Sequence, residues 1–192
     1  VPSLIGATGV VVITGMLGNL LFGPMTGFLA ALLMAACLLL NVEARLAKTD
    51  AALLLSVMVA QYAMARAYTS SNADKKLGWA VCFAFWGAQG VGFLIKGPIL
   101  LLITLATMAG LFLKDKNLRW LFSLRPIAGA LFALLLTAPW FVGIILASKG
   151  QFLAESAGHD FLAKIWQGQE RGVLLPGLHL FAFPLMFFPG SL

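Results

Sequence analysis

Apolar and polar positions fall along this chain in blocks: long apolar runs are separated by short interruptions that hold nearly all of the charge. Runs such as Phe28 to Leu40, Ala51 to Ala65 and Leu77 to Ile95 are apolar around the whole helix. A helix needs that pattern when lipid or other helices surround it and its backbone must satisfy its own hydrogen bonds. The short alternating segments of a β-barrel are missing. Marking the breaks predicts an all-α, polytopic transmembrane helix bundle of about seven spans, each near the roughly 20 residues that cross the hydrocarbon core. They are Ser3 to Leu21, Met25 to Asn41, Asp50 to Tyr68, Leu77 to Ile95, Pro98 to Leu113, Pro126 to Ala147, and Gly177 to at least Leu192. Successive spans cross in opposite directions, so loops 42–49, 96–97 and 148–176 share one face and loops 22–24, 69–76 and 114–125 the other.

Composition agrees. With 61% hydrophobic and 10% charged residues, the chain has too little polar surface to clothe a soluble globule. The net charge of +6 is dispersed among membrane loops and not gathered on a soluble module, which argues against nucleic acid as a partner. Lys and Arg divide almost evenly between the faces. The compact stretch from Lys114 to Arg125 lies directly at span ends, where the positive-inside bias is strongest, and makes that face the cytoplasmic one. Cys37 and Cys82 sit inside apolar spans and read as small packing residues. The glycines of Gly87 to Gly92 lie within a span without a preceding strand, so they read as close helix packing and not as a nucleotide loop.

Candidate chemistry concentrates in the first set of loops. Glu43, Arg45, Lys48 and Asp50 form a dense cluster for a chain this poor in charge. Either Arg45 and Lys48 snorkel while Thr49 or Asp50 caps the next helix, or Asp50 is a fixed carboxylate that orients a lysine or metal while the cations hold a phosphate. Lys96, before the turn-forming Gly97-Pro98, is either a snorkelling anchor or a phosphate contact at a cavity mouth. Loop 148–176 carries Glu155, His159, Asp160, Lys164, Glu170 and Arg171. Phe152, Phe161, Leu162, Ile165 and Trp166 are spaced for an interfacial amphipathic helix, on whose polar face His159 is either solvated or a metal ligand.

Several ordered motifs, taken together, resemble bacterial glycosyltransferases of family 39, the protein O-mannosyltransferase and aminoarabinose-transferase type. They are Glu43-Ala-Arg-Leu-Ala-Lys-Thr-Asp50, Gly92-Phe-Leu-Ile-Lys-Gly-Pro98, Pro139-Trp140, Glu155-Ser-Ala-Gly-His-Asp-Phe-Leu-Ala-Lys164 and Gly168-Gln-Glu170. The resemblance implies a GT-C fold in a bacterial inner membrane. It also implies inverting transfer of a sugar from a polyprenyl-phosphate donor to a lipid or protein acceptor at the periplasmic face, with a divalent metal as the cofactor it allows. Asp50 matches the family's aspartate at the start of a span, Lys96 its Lys-Gly-Pro turn, and His159 is similar in position to a metal-binding histidine. On this reading Asp50 is a supporting carboxylate, and Arg45, Lys48 and Lys96 face the substrate phosphate. Residues 1–192 are then part of a transmembrane domain with a periplasmic loop at 148–176. The family's upstream acidic loop, with its main catalytic acid, has no counterpart here, so the chain is expected to be a fragment that is inactive alone. The family's stretch after Gly-Gln-Glu is also replaced, by Arg171-Gly-Val-Leu-Leu-Pro-Gly-Leu-His179. The rival classes are a transporter, which needs charges or broken helices near mid-membrane, and a non-catalytic membrane scaffold.

Overall fold

The computed structural model describes residues 2–46, 48–72, 77–148, 183–184 and 186–190. Seven α-helices and one 3₁₀ segment make up the element order among them: α1 Pro2–Phe22, α2 Pro24–Ala36, α3 Leu38–Arg45, α4 Asp50–Asn72, α5 Trp79–Lys96, α6 Ile99–Asp115, the 3₁₀ segment Arg119–Leu124, and α7 Pro126–Ala147. The fold is all-α and polytopic. Ser3 on α1 donates to the carbonyls of Leu46 and Lys48 at 2.7 and 3.0 Å, pinning the start of α1 to the loop that starts α4. Ring contacts between Phe83 and Phe132 and between Phe93 and Phe141 run α7 parallel to α5. One end of the bundle therefore gathers the starts of α1, α4 and α6 with the ends of α3, α5 and α7.

The expected seven spans are not reached among the described residues. Four helices, α1, α4, α5 and α7, are long and apolar enough to cross a membrane, and a fifth span is formed if the bent pair α2 and α3 counts as one. At 17 residues, α6 covers about 25 Å, short of the hydrocarbon core. It stops at Lys116, which takes the left-handed conformation at φ 53° and donates its N–H to the Phe112 carbonyl. The span expected from Gly177 onward lies largely outside the described residues, and Phe187–Gly190 within it is a turn.

The uninterrupted helix expected over Met25 to Asn41 breaks at Cys37, where α2 and α3 meet at a 56° bend. A break frees backbone groups that lipid cannot satisfy, and here a side-chain amide and a distant turn supply partners. The Asn41 amide donates to the carbonyls of Ala35 and Cys37 at 2.8 and 2.9 Å, the Leu38 N–H donates to Phe188 O at 3.3 Å, and the Cys37 thiol donates to Met186 O.

The main core is a cluster of small and aromatic residues: Ala60, Ala63, Met64 and Ala67 of α4 face Cys82, Phe85 and Ala88 of α5, with Leu100, Trp120 and Leu124 closing it. Small residues along α4 let the backbones approach, the usual basis of helix association in lipid. The glycine-rich stretch of α5 does the same, since a Cβ on Gly92 would overlap Leu100. Cys37 and Cys82 are buried and free, as packing residues should be.

Candidate functional site

Asp50 opens α4, and the Leu53 N–H donates to Thr49 O, which makes Thr49 the capping position and leaves Asp50 in the first turn. Lys96 closes α5, where Gly97 at φ 68° turns the chain and returns its N–H to Phe93 O at 2.8 Å. Only glycine adopts that backbone without strain. A carboxylate at a helix start and an ammonium at a helix end each complement the local dipole, and here the two meet: Lys96 Nζ donates to Asp50 Oδ1 as an ion pair. Side-chain exposures of 40% and 36% put the pair in the range of surface bridges worth about 0 to 1 kcal/mol. It contributes little to holding the fold.

Arg45, at the end of α3, and Lys48 line a cavity of about 300 Å³ with Ser3, Leu46 and Thr49. Neither is in an ion pair among the described residues, so both charges are available to an anion. The structure thus brings Asp50 and Lys96 together directly and sets Arg45 and Lys48 at the same end, in a cavity that Lys96 does not line.

A second cavity, also about 300 Å³, opens on the other side of that loop, between Met34, Cys37, Leu40, Glu43, Asp50, Leu54 and Phe187. Its walls are apolar apart from the two carboxylates. Glu43 Oε2 is buried without a hydrogen-bond partner among the described residues. An acceptor left so needs a donor, and this cavity offers room for one on an incoming molecule. Glu43 is the residue that the sequence reading leaves without a role. The bend at Cys37 sets the direction in which α3 runs toward the cavity, and no local feature of the sequence signals it; Asn41, whose amide supports it, reads only as the polar end of an apolar run.

His159 lies outside the described residues. Among them no group of three His, Cys, Asp or Glu side chains comes together. Asp50 is engaged by an ammonium and Asp115 accepts from Tyr68 Oη, so among the described residues Glu43 is left as the free acid. At mid-bundle, Gln61 donates to Thr107 at 3.1 Å and buried Gln89 to Thr104 at 2.7 Å. These neutral pairs tie α4 and α5 to α6, and no charge accompanies them.

A family model described as dolichyl-phosphate-mannose-protein mannosyltransferase matches residues 1–142. Searches of curated proteins and of solved structures find no match.

Proposed function

Because the chain belongs to the dolichyl-phosphate-mannose-protein mannosyltransferase family, a family of membrane glycosyltransferases, we propose that it forms part of an enzyme that moves a sugar from a polyprenyl-phosphate carrier to a lipid or protein acceptor. On this reading the Asp50 end of the bundle is the periplasmic face of a bacterial inner membrane. In such a transfer an acceptor oxygen bonds to the anomeric carbon while the bond from that carbon to the phosphate oxygen breaks. The electron pair leaves with the phosphate, and the acceptor proton passes to a carboxylate base. Cations placed where the phosphate charge grows lower the barrier. Arg45 offers a two-pronged fork and Lys48 and Lys96 compact charges, while Asp50 keeps Lys96 extended at the headgroup plane.

The observation that carries the reading is the Asp50–Lys96 pair beside the Arg45–Lys48 cavity. A pair so exposed stabilises the fold little, which leaves its placement to be explained by chemistry. A transporter needs charge or a broken helix near mid-membrane; among the described residues the middle of the bundle holds neutral glutamine and threonine, which leaves the break at Cys37 as the single feature favouring that class. The test is donor-dependent transfer in liposomes by the full-length enzyme at matched protein levels. Lys96→Ala should lower transfer about 10- to 100-fold, the scale of one hydrogen bond to a charged group. Lys96→Arg should recover part of it, because a fork differs in reach from an ammonium. Wild-type donor dependence in both variants would make Lys96 a membrane anchor.

A further inference from the structure

The opposite end of the bundle carries a second concentration of charge. Arg66, Lys114, Lys116, Arg119 and Arg125 stand there among the described residues against one acid, Asp115. The excess of cations makes this end electropositive among the described residues.

Arg125 is the most constrained of the five. It sits at φ 48° between the 3₁₀ segment and α7. A left-handed conformation in a residue with a Cβ costs about 1 kcal/mol. The turn it makes is held by Trp86, whose indole N–H donates to Leu124 O at 2.9 Å. Its guanidinium lies over the Trp79 ring, 3.6 Å from the centroid. This contact holds the cation in place without using any of its N–H donors. Arg125 Nη1 is buried and has no hydrogen-bond acceptor among the described residues. A guanidinium that is oriented, partly desolvated and short of an acceptor is matched by a group carrying two or more anionic oxygens.

The surroundings identify which molecule carries them. Phe122 is 75% and Ile127 88% exposed, one on each side of Arg125 in the chain. Apolar side chains this exposed beside a cation suit the junction between headgroups and acyl chains, where aromatic residues also concentrate. A free phosphate would use the fork and leave that apolar rim in water. A phospholipid uses both.

We propose that the Arg125–Trp79 corner binds the phosphate of an anionic phospholipid headgroup, with Phe122 and Ile127 against the upper acyl chains. The site is distinct from the Asp50 end and holds whether or not the chain transfers sugar.

The experiment is retention of lipid by the purified chain in detergent, read by native mass spectrometry after titration with dioleoyl-phosphatidylglycerol or dioleoyl-phosphatidylcholine. The wild type should retain the phosphatidylglycerol about tenfold better, and Arg125→Gln should remove that preference. Arg125→Lys should keep the charge but lose the fork, and retain about a third of the preference. This variant decides the matter if Arg125→Gln does not fold. Trp79→Leu should weaken retention in the same direction. Equal retention of the two lipids by the wild type, or an unchanged preference in Arg125→Lys, would overturn the site. Displacement of bound phosphatidylglycerol by millimolar inorganic phosphate would overturn the lipid as its occupant.

Discussion

At the scale of single residues, the decisive contrast is between what the Asp50–Lys96 pair contributes to folding and what it can contribute to chemistry. Asp50→Asn keeps size and one hydrogen-bonding oxygen and removes the charge. Because the pair is exposed, the loss to stability should stay below about 1 kcal/mol, a melting shift of no more than about 2–4 °C. Sugar transfer by the full-length enzyme should fall by at least about tenfold, since Lys96 is then free to fold away from the phosphate. Normal transfer with normal expression would reduce Asp50 to a favourable charge at a helix start. Asp50 and Lys96 were legible in the sequence because charges are so scarce here that each survivor asks for a reason. Glu43 stood in the same cluster, but its exposure to an apolar cavity depends on the path of α3 and on Phe187, which is far away in sequence. No local pattern could convey that.

At the scale of elements, the long helices were readable because a lipid-facing helix needs only length and apolarity, and α1, α4, α5 and α7 have both. The break at Cys37 was not. Ala35-Ala36-Cys37 contains neither proline nor glycine, so nothing local compels a bend, and the energy that permits it comes from partners elsewhere. Asn41 supplies two of them. Asn41→Leu should leave the Ala35 carbonyl without its donor, while the Cys37 carbonyl keeps the Asn41 backbone N–H at 3.1 Å, at a cost of about 1–2 kcal/mol. In a chain this size that corresponds to a fall of about 2–8 °C in the melting midpoint in detergent, with Asn41→Ser, which keeps a donor, losing less. Equal midpoints for the wild type and Asn41→Leu would mean that the bend rests on the contacts with Met186 and Phe188 instead. Pro139, by contrast, lies inside α7, which runs unbroken from Pro126 to Ala147 as its apolar length predicts.

For the whole molecule, the alternation of spans determines which chemistry can share a surface. Short connections such as Gly97-Pro98 force neighbouring helices to run back, and the contacts follow that rule: Lys96 meets Asp50 at one end, while Tyr68 meets Asp115 at the other. Since α7 runs parallel to α5, the chain returns at Ala147 to the Asp50 end, and His159 follows soon after it in sequence. In intact cells or sealed vesicles, single cysteines at Lys48, Lys96 and His159 should therefore react with a membrane-impermeant maleimide from one side, and a cysteine at Arg119 from the other. Cys37 and Cys82 are too buried to compete. The bias carried by Lys114 to Arg125 further predicts that the Arg119 side is the cytoplasmic one, so that its cysteine should react only once the membrane is opened. Labelling of Lys48 and Arg119 from the same side would break the antiparallel order of the bundle. Labelling of His159 from the Arg119 side would spare that order but remove the loop at 148–176 from the Asp50 surface, and with it any part for His159 in chemistry there.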